Sequence, residues 1–243
     1  MSKRERLLIK ISGASLKSND EVFDVLKAKD IINQLKILHK KYDISLVIGG
    51  GNLFRGDASK KFMLDRYRAD QLGMLSTMIN GILFNDLCLK ENLKTHLFSA
   101  VKIDTFIDYY TVRDVNNSLS NNEICIFCGG TGSAFFTTDT GAALRAAETN
   151  TNWILVGKNG VDGVYNKDPK IHNDAKRYDF LTYNDVIVND LKVMDHSALT
   201  LCGDNDIKLI VFNINHKNSL IKAMEKEIPT TIIEKEKTND WLK

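Results

Sequence analysis

Apolar residues along the chain gather into short, nearly continuous runs at 7–11, 44–48, 95–98, 123–127, 152–156, 207–212 and 230–233. They are rich in β-branched residues, and the lack of strict alternation predicts strands covered on both faces, as in parallel sheets. Segments of helical period lie between them. In 29–41, Ile31, Ile32, Leu35 and Leu38 form one stripe, and 65–91 reads as a long helix with Leu72, Leu75, Ile79, Ile82, Leu83 and Leu87 turned inward. Segments 139–148 and 195–202 read as shorter helices, each opened by an aspartate able to cap its N-terminus. Strand and helix alternate almost throughout, which predicts an α/β fold with a mostly parallel sheet.

Ligands of such sheets bind at the carboxyl ends of the strands, so the residues that follow each run carry the candidate chemistry. Lys10-Ile11-Ser12-Gly13 puts a lysine inside an apolar strand just before a small-residue turn. A buried lysine calls for an anionic partner, and a Ser-Gly turn lets backbone N–H groups approach a phosphate, although an edge lysine reaching for water is the plainer account of the strand alone. Gly49-Gly50-Gly51 follows the second run, with Arg55 nearby as a bidentate anion clamp. A tight turn against a helix explains one of these glycines well and three poorly. The third turn, Gly129-Gly130-Thr131-Gly132-Ser133-Ala134-Phe135-Phe136-Thr137-Thr138-Asp139, runs into a helix N-terminus. Its threonines add hydroxyls, and of Phe135 and Phe136 one is expected to wall a planar base and one to pack in the core. No turn matches G-x-x-x-x-G-K-[ST] or G-x-G-x-x-G, so phosphate binding of the P-loop or dinucleotide type is excluded.

Composition narrows the remaining classes. A hydrophobic content of 43% with 26% charged residues supports a sizeable core and excludes a disordered chain. With only 2 prolines and no linker-like tract, the 243 residues are expected to form a single continuous domain, 1–243. A formal net charge of +2 creates no global field for a nucleic acid or an anionic membrane. The first apolar run is broken by Lys10 and too short for a signal peptide, and no stretch is expected to reach the roughly 20 apolar residues of a membrane span. A soluble, cytoplasmic protein is the expectation. Cys88, Cys125, Cys128 and Cys202 form no disulfide framework, and the Cys125-x-x-Cys128 pair is read as small residues of a buried strand, with no metal site assigned.

Six ordered segments resemble the amino acid kinase superfamily and, within it, the bacterial uridylate kinases. They are Lys10–Gly13, Val47–Gly56, Asp70–Leu75, Gly130–Asp139, Val161–Asp168 with Pro169, and Leu191–Asp195. The resemblance implies a three-layer αβα sandwich that assembles as a homohexamer and uses ATP with Mg2+ to phosphorylate UMP. UTP is implied as a feedback inhibitor. The N-terminal part would serve the acceptor and oligomerisation, and roughly 150–243 would serve ATP. Carried over residue by residue, Lys10, Ile11, Ser12, Gly13, Gly51, Asn159, Tyr165 and Asp168 would bind ATP. Gly50, Arg55, Asp70 and the segment Thr131, Gly132, Ser133, Ala134, Phe135, Phe136, Thr137 and Thr138 would bind UMP. Lys10, Arg55, Asp139 and Asp195 would form the catalytic set.

The family usually carries Glu where this chain has Ala14, and segment 17–23 lacks the glycines found in a region linked to GTP activation, so activation by GTP is expected to be weak or absent. Another superfamily activity, on a carboxylate, carbamate or isoprenoid phosphate, is the alternative enzyme reading. A nucleotide-binding sensor that lost catalysis is the third.

Overall fold

The structure, a computed structural model, describes residues 4–54 and 61–236. Each apolar run becomes a strand: β1 (Arg6–Ile11), β2 (Asp43–Ile48), β3 (Thr95–Ser99), β5 (Ile124–Cys128), β6 (Trp153–Lys158), β10 (Lys208–Asn213) and β11 (Thr230–Glu234). Shorter strands, too brief to announce themselves by pattern, are β4 (Asp108–Tyr109), β7 (Val164–Tyr165), β8 (Arg177–Tyr178) and β9 (Phe180–Thr182). The main sheet has the order β4-β3-β5-β2-β1-β6-β10-β11-β9, and β7 pairs with β8 in a separate two-stranded sheet. Within the main sheet every pairing is parallel except that of β10 with β11. The mostly parallel sheet inferred from near-continuous apolarity is present.

Helices cover both faces. α1 (Val25–Leu38), α2 (Arg66–Lys90) and α7 (Ser219–Met224) bury Ile31, Phe84 and Leu220 on the face formed by Leu7, Ile9 and Ile11. The opposite face, with Leu8 and Val156, carries α3 (Val112–Ser120), α4 (Thr138–Glu148), α5 (Tyr183–Val188) and α6 (His196–Asp204). Three layers, α on β on α, result. β1 lies at the centre, with β2 on one side and β6 on the other. It therefore occupies the point where successive strands depart in opposite directions, which is where parallel sheets open a crevice.

Three expectations need correction. The apolar stripe of α2 does not face inward: Leu72, Leu75, Ile79, Ile82 and Leu83 are exposed, and Leu87 is only partly buried. Its buried side is instead Ala69, Ser76, Thr77, Met78, Asn80, Gly81, Phe84 and Cys88. The helix is apolar around most of its girth, so periodicity alone could not choose a face, and small residues won the inner one. Gly81 illustrates why, since a Cβ there would stand 3.0 Å from Leu97 Cδ1. For the same reason α2 is long and apolar enough, by length and composition, to cross a membrane, contrary to expectation; here it packs along β3 and β5. Finally, α1 begins four residues earlier than its stripe suggested, because Asp24 caps it by accepting from the N–H groups of Leu26 (2.9 Å) and Lys27 (3.1 Å).

Cys125 and Cys128 are three positions apart on β5 and point to opposite faces, Cys125 into one core cluster and Cys128 into the other. Two thiols so placed cannot chelate one ion. All four cysteines are free and buried, and burial pushes each thiol up to about 12. Thiolate is the reactive form. Native protein at pH 8 is therefore expected to leave a thiol-disulfide reagent unreacted, with all four thiols titrating after unfolding. Phe84 is 0% exposed and Leu26 is 79% exposed. In urea unfolding at fixed protein concentration, Phe84→Ala should cost about 3–5 kcal/mol and Leu26→Ala less than about 0.5 kcal/mol.

Candidate active site

Lys10 is the next-to-last residue of β1 and points to the α4 side of the sheet, the same side as Leu8. Its Nζ lies 2.5 Å from Asp139 Oδ1, with both side chains largely shielded. The anionic partner that a lysine in a buried strand requires is thus supplied by the first turn of α4. Asp139 is free for this because it is not the cap of its helix. Thr137 is, its hydroxyl accepting from the N–H groups of Asp139 (3.0 Å) and Thr140 (3.5 Å).

Asp195 does cap its helix, as expected, accepting from Ala198 N–H at 2.9 Å. Its other oxygen accepts from the hydroxyls of Thr140 (2.8 Å) and Thr137. Burial alone would raise this carboxyl, but the hydrogen bonds from Thr137, the Ala198 backbone and Thr140 outweigh it and hold the group below the usual aspartate range. Asp195 is ionised at neutral pH. Thr140, which pattern reading did not single out, links Asp139 to Asp195, because it follows Asp139 in the first turn of α4 and its side chain reaches Asp195.

Lys10, Ser12, Gly13, Ala14, Gly49, Gly50, Gly51, Thr137, Thr138 and Asp139 line one cavity of about 260 Å³. The glycines here serve close approach. A Cβ on Gly13 would lie 2.6 Å from Gly51 N, and one on Gly50 would lie 2.6 Å from Ser76 Cβ of α2. Among described non-glycine and glycine residues with positive φ, Gly49, Gly50 and Gly51 do not appear, so the conformational freedom anticipated for them is not what they use. That freedom is used in the third turn, where Gly129, Gly130 and Gly132 have φ of 78°, 60° and 82°. Ile11 is fully buried, so only its backbone is available to the cavity.

α2 ties both glycine turns together. Asn80, 0% exposed, donates to Gly49 O (2.7 Å) and Asn52 Oδ1 (2.7 Å), while Asn52 donates to Val22 O (2.8 Å). Thr77 accepts from Gly129 N–H at 2.8 Å. Two turns earlier, Asp70 accepts from Phe135 N–H at 2.7 Å and pairs with Arg66 Nε at 2.9 Å. Phe135 needs that anchor, since its φ of 73° is a left-handed conformation unusual for a bulky residue.

Gly132, Ser133, Ala134 and Phe135 line a larger cavity of about 570 Å³ together with Tyr67, Met74 and Leu75 of α2. Thr131 is spent locally, bonded to Ser133. Phe135 and Phe136 are 64% and 50% exposed, so neither packs in the core as one of them was expected to. Tyr165 and Asp168 line a third cavity of about 280 Å³ with Val161, Gly163 and the 189–192 segment, Tyr165 donating to Asp162 at 2.7 Å. Asn159 is bonded to Asn215 (2.7 Å) and is not part of that lining. Arg55 lies outside the described residues.

Lys158, the last residue of β6, was missed as a site residue, although it repeats the signal of Lys10: a lysine ending an apolar strand. Burial, reinforced by the charge of Lys10 and partly offset by Asp139, lowers it to about 8. Its ammonium donates to the Val193 carbonyl.

A glycine-walled cavity at the carboxyl ends of β1 and β2, with a lysine-aspartate pair at its floor, defines a phosphate-handling α/β enzyme. The model of the amino acid kinase family matches residues 5–213. The uridylate kinase of Ureaplasma parvum serovar 3 is 43% identical over 96% of this chain and 100% of its own length, and that of Mycoplasma genitalium is 42% identical over 95% and 96%. The crystal structure of UMP kinase from Ureaplasma parvum superposes with a TM-score of 0.93 at 43% identity, covering 96% of this chain and 100% of its own. That of UMP kinase from Bacillus anthracis gives 0.90 at 34% identity, covering 96% and 97%. The chain belongs to the amino acid kinase family and, within it, to the uridylate kinases.

The pair at the cavity floor is expected to be mutually dependent. Asp139→Asn should leave Lys10 facing a neutral partner, so the melting temperature should fall and, at a temperature where the variant is still folded, turnover should drop by at least about tenfold. Steady-state rates alongside thermal denaturation check this.

Proposed function

We propose that this chain transfers the γ-phosphoryl group of ATP to UMP, giving UDP and ADP, the first step from UMP towards UTP and CTP. The observation that carries the reading is the Lys10–Asp139 pair at the floor of the glycine-walled cavity. The acceptor oxygen is already anionic at neutral pH, so the reaction needs no strong base; it needs two polyanions held in line and their charge neutralised. Lys10 fits that need, with backbone amides of the Ser12–Gly13 and Gly50–Gly51 turns around it. Asp139 holds the lysine extended into the cavity, and Asp195, kept ionised by its three donors, fixes the start of α6 beside it.

UMP is assigned to the larger cavity, with its phosphate directed towards Gly50 and Arg55. Asp70 would hold the ribose, and the segment from Thr131 to Thr138 the pyrimidine nucleotide, since that segment borders both cavities. ATP is assigned across Lys10, Gly13 and Gly51 to the cavity of Tyr165 and Asp168, with Asn159 carried over from the family resemblance although it lies outside that lining. The chain is read as a single domain, its part before residue 150 mainly serving the acceptor and the remainder mainly ATP.

Magnesium would arrive with ATP. Among the described residues no cluster of three or more His, Cys, Asp or Glu forms a metal cage. Asp139 and Asp195 are the residues that would help to hold an ion carried in on phosphate oxygens. When bound, it would supply charge neutralisation on the phosphates. UTP as a feedback inhibitor would occupy the UMP site, and a cytoplasmic location follows from the need for ATP and UMP.

The exposed row Leu72, Leu75, Ile79, Ile82 and Leu83 supports self-association through α2, and a homohexamer is the assembly we assign. Ile79→Glu with Leu83→Glu should shift the assembly to a smaller species in light scattering while circular dichroism stays unchanged; an unaltered mass would remove α2 from the interface. In a coupled assay with magnesium and ATP, ADP release should depend on UMP and be weak with CMP, GMP or no acceptor. Lys10→Ala should lower kcat by about 100-fold or more. ADP release independent of UMP would overturn the assignment.

A further inference from the structure

Lys158 has no role in the chemistry derived so far, yet its placement is specific. β6 pairs with β1 so that Lys10 lies opposite Val156, and Lys158 follows two residues later on the same face. Two lysines on adjacent strands therefore approach the carboxyl edge of the sheet side by side, which like charges do only where an anion repays their repulsion.

The surroundings of Lys158 indicate which anion. On one side are Lys10 from β1 and Asp139 from α4, which line the glycine-walled cavity. On the other, the chain leaving β6 continues into Val161, Gly163, Tyr165 and Asp168, which line the third cavity. The Val193 carbonyl that Lys158 contacts follows Leu191 and Lys192 of that same lining, and precedes the Asp195 cap. Lys158 itself lines neither cavity, but its neighbours on either side line one each. An ammonium has three donors, and the hydrogen bond to Val193 uses one. The others have no hydrogen-bond acceptor among the described residues.

We propose that Lys158 is a catalytic residue that binds the triphosphate of the donor nucleotide, as a second cation beside Lys10, where that chain of phosphates crosses from the base-binding cavity to the glycine-walled one. This rests on the assignment of ATP to those two cavities. The charges acting on Lys158 are Lys10 from β1 and Asp139 from α4. Lys158 needs its proton to hold the phosphates, and with burial lowering it to about 8, that proton is lost as the pH rises through this value.

The test uses the full-length protein, with calorimetric binding of ATP and of adenosine, kinetics at saturating UMP, and thermal melting. Lys158→Met should weaken ATP by at least about tenfold while leaving adenosine and the KM for UMP within about twofold, and melting should be unchanged or raised because a buried charge has gone. Lys158→Arg should recover part of the ATP affinity, since guanidinium stays protonated. The unmutated protein adds a readout that needs no folded variant: its affinity for ATP, but not for adenosine, should fall above about pH 8. In Lys158→Arg that fall should vanish. Equal weakening of ATP and adenosine would make Lys158 a mere strut for the Val193 turn and overturn the proposal, as would ATP affinity that ignores the Met variant. Absence of UMP phosphorylation by the unmutated protein, with ATP binding and its pH dependence intact, would count against the kinase reading and leave the Lys158 assignment standing.

Discussion

A positive charge inside the central strand is the constraint on which the rest of the structure depends. Lys10 belongs to a strand whose other residues are fully or nearly fully buried, and an unpaired ammonium there would cost several kcal/mol. Asp139 removes that cost, but only if α4 enters the sheet with its first turn over the end of β1. Thr137 must then take over the capping of α4, which leaves the aspartate unencumbered. The Thr137 and Thr140 hydroxyls in turn orient Asp195 and with it the start of α6. A single ion pair thereby fixes where two helices begin, the first of them lining the glycine-walled cavity and the second bonded to it through Thr137 and Thr140.

What could be read from the amino-acid order follows from how locally each feature is determined. Strands such as 44–48 and 207–212 were legible because strands buried on both faces need uninterrupted apolar residues, and their ends differ from expectation by a residue or two. The facing of α2 was not legible, because its inner side is chosen by how closely the backbone must approach β3 and β5. That requirement selects Gly81, Ser76 and Asn80 over the larger leucines and isoleucines. The capping of α4 was misassigned for a related reason: Thr137 and Asp139 are both good caps, and only the position of Lys10, more than a hundred residues away, decides between them.

The site was more legible than its wiring. Lys10, the glycine turns, Asp139 and Asp195 carry local signals, whereas Asp70 was marked only by the family resemblance; the fold places Lys10, the glycine turns and Asp139 around neighbouring cavities. Their connections are long-range and have no local signature. Asn80 reaches Gly49, Thr77 reaches Gly129, and Asp70 reaches Phe135, each across 30 or more positions of the chain. Lys158 went unrecognised although its signal equals that of Lys10, because the strand end is followed by the isolated Gly160 rather than the clustered glycines that mark the second and third turns.

α2 combines two tasks that elsewhere fall to separate elements. Its inner side holds the second and third glycine turns by hydrogen bonds, and its outer side is the most extended apolar surface among the described helices. Tyr67, Met74 and Leu75 belong to the large cavity, while Leu75 also belongs to that outer row. A partner packed on the row would therefore press on a residue that borders this cavity, and through a rigid helix on the Asn80 and Thr77 bonds behind it. Packed helices move as units because their interiors are dense. If the proposed self-association and the proposed acceptor site both use α2, coupling between assembly and acceptor binding would follow from that shared helix, with no additional relay required.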